Sequence, residues 1–194
     1  PRDPIEERVP VVNIPTPVIP ASGDLSTPVF LGSSSHWTDG GIGGDMAIGN
    51  TATMQLQAGK SYHFNDLDLG NGGTLEAVGP YTEFEADGVT PVPFDDPRNT
   101  IKIYVTGDVT AAGQFVSPNR NIQIYGAAPY AGDGNPPAQD IKFTGQAAYY
   151  ADVIAPNANV ETFGQSAMYG RVYCQTGTVQ GKFFYDTELS SRGY

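Results

Sequence analysis

Apolar and polar side chains alternate in short runs along most of this chain, as in Met54-Gln55-Leu56, Ile101-Lys102-Ile103 and Ile122-Gln123-Ile124. A period of two sends successive side chains to opposite faces of an extended backbone, so these runs predict short, half-buried β-strands. Each run is followed within a few residues by glycine. Taken from the C-terminal side, the runs begin at Val179, Val160, Ile141, Ile122, Ile101, Leu75 and Met54, at intervals of 19, 19, 19, 21, 26 and 21 residues. The first position of each run is apolar throughout. The second reads Gln55, Glu76, Lys102, Gln123, Lys142, Glu161 and Gln180, polar throughout. One ladder is expected to face inward and the other to face water.

The recurrence extends to side-chain identity. Gly145-Gln146-Ala147-Ala148-Tyr149-Tyr150 returns 19 residues later as Gly164-Gln165-Ser166-Ala167-Met168-Tyr169, and Val153 returns as Val172. At about 3.3 Å per residue, a unit of this length holds three strands of four or five residues with turns between them. Such a unit cannot bury its apolar side alone, but stacked on its own copies it forms one coil of a parallel β-helix. The expected architecture is therefore all-β: a right-handed parallel β-helix (solenoid) with coils of about 19–21 residues, on the order of 30 Å long. A β-sandwich also uses short strands and Gly/Pro turns, but it does not repeat side-chain identity at a fixed period. The interval of 26 contains a Pro- and Asp-rich insertion at residues 81–99, expected as a surface loop.

Composition agrees with strands. The 194 residues include 24 Gly and 16 Pro with only 16% charged residues, which disfavours long helices, while 39% hydrophobic residues suffice for a core. A net charge of −11 argues against nucleic acid and anionic membranes as partners, because both reward Lys and Arg. A single cysteine, Cys174, excludes an intramolecular disulfide and a Cys-built zinc site, and its place within the repeat predicts a buried, inert thiol. No stretch reaches the roughly 18 apolar residues of a membrane span. The chain opens on Pro1, as expected of a processed form from which an export signal or anchor was removed.

The segments "IKIYVTGDVTAAGQF", "NIQIYGAAP", "YYADVIAPNANVETFGQSAMYGRVY" and "FFYDTEL" occur in an order that resembles an uncharacterised bacterial β-solenoid domain, over about residues 50–190. Domains of that kind are found behind minor-pilin-like (PilX-type) N-terminal regions and in other envelope surface proteins. The resemblance implies a right-handed parallel β-helix, a structural role and an extracellular or cell-surface location in a bacterium. It supplies no catalytic residues. The chain lacks the apolar pilin-type N-terminal helix.

Residues 1–30 stand outside the repeat, and the β-helix domain is expected over residues 31–190. Prolines at positions 10, 15, 17, 20 and 28 keep this arm extended, yet Val9, Val11, Val12, Ile14, Val18 and Ile19 make it unusually apolar for a linker. The ends of a β-helix expose apolar core and unpaired backbone. Residues 32–49, with Trp37, are expected to cover the first coil, whereas little chain remains to cover the last. The expected function is thus a structural filament subunit whose partners are copies of itself, with those six arm residues adding to a neighbour by β-augmentation. The alternative is a monomeric surface adhesin or carbohydrate-binding module on a stalk.

Enzymatic signals are weak, and no enzyme, cofactor or metal site is expected. Stacked carboxylates on adjacent coils would mark a glycoside hydrolase. The equivalent pair is instead Asp152 with Arg171, expected as a surface ion pair. Asp66 and Asp68 are expected to share a solvated strand face, and His36 and His63 are too few for a histidine-built metal site. The acidic turns at 94–96 and 131–137 lack calcium-loop spacing. The tyrosines at repeat positions predict stacked aromatic ladders, with a sugar-binding face as the lesser reading. Thr16, Thr27 and Thr90, each before proline, are candidate acceptors of O-linked sugars.

Overall fold

The structure is a computed structural model that describes residues 14–92, 96–117, 122–132 and 135–185. Among these the chain is all-β, with two one-turn 3-10 helices. The first strands are β1 (Val29–Leu31), β2 (Trp37–Asp39), β3 (Met46–Ile48), β4 (Thr53–Gln57) and β5 (Ser61–Phe64). They are followed by β6 (Leu67–Leu69), β7 (Thr74–Val78), β8 (Ile101–Val105), β9 (Val109–Ala111), β10 (Gln114–Val116) and β11 (Ile122–Gly126). The last are β12 (Gln139–Phe143), the long β13 (Ala148–Thr162), β14 (Ala167–Gly170), β15 (Val172–Val179) and β16 (Lys182–Tyr185).

Pairing is parallel except at one end, where β1 runs antiparallel to β4 and β2 antiparallel to β3. One parallel ladder runs β3-β6-β9-β12-β13, a second β4-β7-β10 and a third β5-β8-β11-β13. Strand β13 serves several partners in turn: β14 at Ala148–Tyr150, β11 over Ala151–Ile154, and β12 from Ala158 onward.

Alternation explains the core. Met54, Leu56, Leu75, Ile101, Ile103, Ile124, Ile141, Phe143, Tyr149 and Val153 are buried in one apolar cluster, while the second-position residues from Gln55 to Glu161 stay half exposed. The outward row bonds along its length where partners match, as where Gln55 Nε2 donates to Glu76 Oε2 at 2.8 Å. The inward row breaks at its last member, because Val179 is 58% exposed.

The register of the repeat needs correction. Met54 pairs with Leu75, Ile101 with Ile122, and Ile141 with Val160, as the spacing requires. However, Leu75 next meets Phe115 rather than Ile101, and Ile122 next meets Ala151 rather than Ile141. Val160 meets Gly177 rather than Val179, after a shift in register between Ala155 and Asn159. The cause is that all three ladders share the signature of an apolar pair ending near glycine, so a fixed step slides from one ladder to another where chain has been inserted. One insertion, between β7 and β8, contains the expected loop. The other, residues 127–138 between β11 and β12, carries no such warning in its composition.

The Gly145/Gly164 recurrence has a backbone cause. Both adopt left-handed φ, +84° and +70°, in equivalent corners before β13 and β14. A Cβ on Gly164 would also press on the Gly145 carbonyl oxygen at 3.2 Å.

Candidate functional site

The two ends of the strand stack are finished differently. At the first end β1 and β2 lie across β4 and β3, and Phe30 stacks on Trp37 at 4.2 Å between centroids, both packed against the core. Trp37 therefore covers the first end, the role its position suggested. At the opposite end β15 pairs only with β13, and β16 only with β14, among the described residues. Each offers a free edge of backbone donors and acceptors.

The apolar side chains of this last rung are incompletely covered. Phe183 pairs in register with Met168, a fully buried core residue, yet remains 36% exposed. Cys174, in register with Ala155, is half-buried, and burial raises its thiol pKa, so it is a poor nucleophile. Outside the core, Tyr150, Tyr169 and Phe184 stack with centroids 4.6 and 4.7 Å apart. Rings stacked this closely present edges rather than faces to solvent, which suits a stabilising ladder better than a sugar platform. Tyr104 and Tyr125 stack likewise at 5.0 Å. The 19-residue spacing disclosed Tyr150 and Tyr169. It missed Phe184, because the last interval shrinks to 15 residues, β14 pairing Tyr169 with Phe184.

The described part of the arm lies along its own chain. Leu25 forms a parallel bridge with Ser61, and Ser26 N donates to Ser61 O at 2.8 Å. Nearer the N-terminus, Asn157 Nδ2 donates both to Thr16 Oγ1 and to Ala128 O, each at 2.9 Å. Going from Leu25 back to Thr16, the arm therefore passes from β5 to the level of β13, which borders β15. Of the six arm residues, Ile14 and Ile19 are half-buried and Val18 is 85% exposed. Val9, Val11 and Val12 lie outside the described residues.

The remaining candidates are dispersed. Asp152 and Arg171 do pair, at 2.6 Å, but with both side chains only 11% exposed, so the expected surface pair is nearly buried. Asp66 precedes β6 rather than sharing its face with Asp68, and its Oδ1 accepts from Asp108 N at 2.8 Å. His63 packs beside Gly43, and burial lowers its pKa. No group of three His, Cys, Asp or Glu side chains converges on a point among the described residues. In the loop between β7 and β8, Arg98 bonds Glu85 at 2.7 Å and Asp96 at 2.8 Å. No helix among the described residues is long and apolar enough to cross a membrane. No protein-family model, curated protein or solved structure matches this chain.

Proposed function

We propose that the chain is a structural subunit of an extracellular or cell-surface filament, wound as a right-handed parallel β-helix and joined head-to-tail to copies of itself. Three parallel ladders visited in rotation, with partner offsets of 19 and 21 residues where nothing is inserted, support the winding. The observation that carries the assembly is the unequal finish of the two ends. One is closed by antiparallel strands and the Phe30–Trp37 stack; the other leaves β15, β16, Phe183, Phe184 and Val179 open. Two different surfaces brought together make a heterologous contact, which propagates rather than closing.

The path of the arm fits this junction. Residues 1–13 leave the described structure beside β13, next to the open edge, and carry Val9, Val11 and Val12. In the filament this segment adds to the neighbouring copy stacked there. Burial of three valines offers roughly 5 kcal/mol gross at 1.5–3 each, before ordering costs.

Deleting residues 1–13, which leaves the Thr16–Asn157 bond in place, tests the reading. The truncated chain is expected to fold and stay monomeric while the intact chain assembles. Assembly unchanged by the deletion, or appearing only after it, overturns the arm's role; in the second case the segment caps its own edge.

A further inference from the structure

The corners joining the first ladder to the second contain four residues in most rungs: 49–52 between β3 and β4, 70–73 between β6 and β7, 144–147 between β12 and β13. Between β9 and β10 there are two, Ala112 and Gly113. The ladder registers record the same shortening. Leu67 pairs with Val109, an offset of 42, while Thr74 pairs with Gln114, an offset of 40, so two residues are missing from this corner. A corner pulled in between two full ones leaves a notch. A cleft of about 410 Å³ opens there, lined by Asn71, Thr74, Ala112, Gly113, Gln114 and Gln146 among others.

Its floor cannot be filled from below. Gly113 is buried, and a Cβ on it would collide with the Gly73 carbonyl oxygen and the Leu69 side chain. Its walls are polar and contain no charged residue. The side-chain amides of Asn71, Gln114 and Gln146 are exposed and hydrogen-bond no described protein group. Each amide offers a carbonyl acceptor beside two N–H donors. That pairing complements a vicinal diol, in which every hydroxyl both donates and accepts. A carboxylate or an ammonium group finds no counter-charge here. The volume falls in the range of small-ligand sites, roughly 300–1,000 Å³.

We infer that this notch binds a neutral glycan, one or two sugar rings seated between the Asn71 and Gln146 corners and held by Gln114 and Gln146. The site lies away from β15 and β16, so it does not rest on the assembly reading. It is also separate from the stacked tyrosines.

The test is an NMR titration of the uniformly 15N-labelled chain with glucose-, mannose- and N-acetylglucosamine-based tetrasaccharides, and with oligogalacturonate as an acidic control. At least one neutral tetrasaccharide is expected to shift the side-chain amide signals of Gln114 and Gln146 saturably. The double change Gln114→Ala, Gln146→Ala is expected to weaken binding roughly tenfold or more, as loss of two or more hydrogen bonds implies. Ala112→Gln, which fills the notch and keeps the amides, is expected to abolish it. Thermal melts establish that both variants remain folded. No saturable shift with any neutral probe, equal response to oligogalacturonate, or undiminished binding by folded Ala112→Gln overturns the inference.

Discussion

Arg171 reaches back across one pair of strands to Asp152, nineteen residues earlier, and holds it three ways. Nη2 lies 2.6 Å and Nε 3.2 Å from Oδ2, while the Arg171 backbone N donates to Oδ1 at 3.0 Å. Both side chains are nearly buried. The pair thus ties β13 to the start of β15, the strand at the open edge. Removing the carboxylate strands a poorly solvated guanidinium. Asp152→Ala is expected to cost about 2–4 kcal/mol in denaturant unfolding and to loosen β15 first in hydrogen exchange. A loss below about 0.5 kcal/mol would mean that the bridge is solvated like an ordinary surface pair.

Ile141 and Lys142 are neighbours in sequence with opposite surroundings. Ile141 is fully buried between Val109 and Val160; Lys142 is exposed and bonds Asp140 at 2.9 Å. Ile141→Asp is expected to cost several kcal/mol, comparable with the stability of a whole domain. Lys142→Gln is expected to change stability by under about 1 kcal/mol. Equal melting temperatures for the two variants would contradict the inward and outward assignment.

Tyr149 is fully buried, and its hydroxyl donates toward Ala111 O and Thr144 O, both at 2.7 Å. Burial pushes its pKa up to about 12, from an ordinary 10.0. With the folded value above the unfolded one, the folded chain holds the proton longer. This contribution to stability is complete below pH 10 and is lost as pH rises through about 12. Ultraviolet titration of wild type against Tyr149→Phe is expected to differ by one phenolate appearing near pH 12. A difference appearing near pH 10 would show the hydroxyl to be exposed.

In the loop between β7 and β8, Val89 N, Thr90 N and Thr90 Oγ1 all donate to the Asp87 carboxylate. These bonds, led by the Thr90 hydroxyl, hold its pKa at about 2 instead of 3.8. The turn is expected to be intact above pH 3.8 and to loosen as pH falls toward about 2. The amide proton shifts of Val89 and Thr90 should follow that midpoint and lose it in Asp87→Asn. A midpoint near 3.8 would contradict the turn.

The all-β class was legible because alternation and glycine spacing are local signals, and pairs such as Ile101/Ile122 survive unchanged. The sequence to ladder assignment was less so. Nothing in Leu75 or Phe115 announces that they are partners across a 40-residue gap, since insertions erase the period while keeping the strand pattern. The burial of the Asp152–Arg171 pair was hidden for a related reason. Outward positions are half shielded by adjacent rungs, and charge pairing alone does not report that shielding. The notch between β9 and β10 is visible in sequence only once the registers on both sides are known.

The central claim is that the β15–β16 edge is an assembly surface, and sedimentation velocity of the intact chain over a wide concentration range tests it most directly. Alongside it runs a variant carrying Val179→Lys and Phe184→Lys, two exposed positions on that edge. The account predicts that the intact chain sediments as species that lengthen with concentration, while the folded variant holds a single-chain mass. An intact chain that keeps a single-chain mass at every concentration would contradict it.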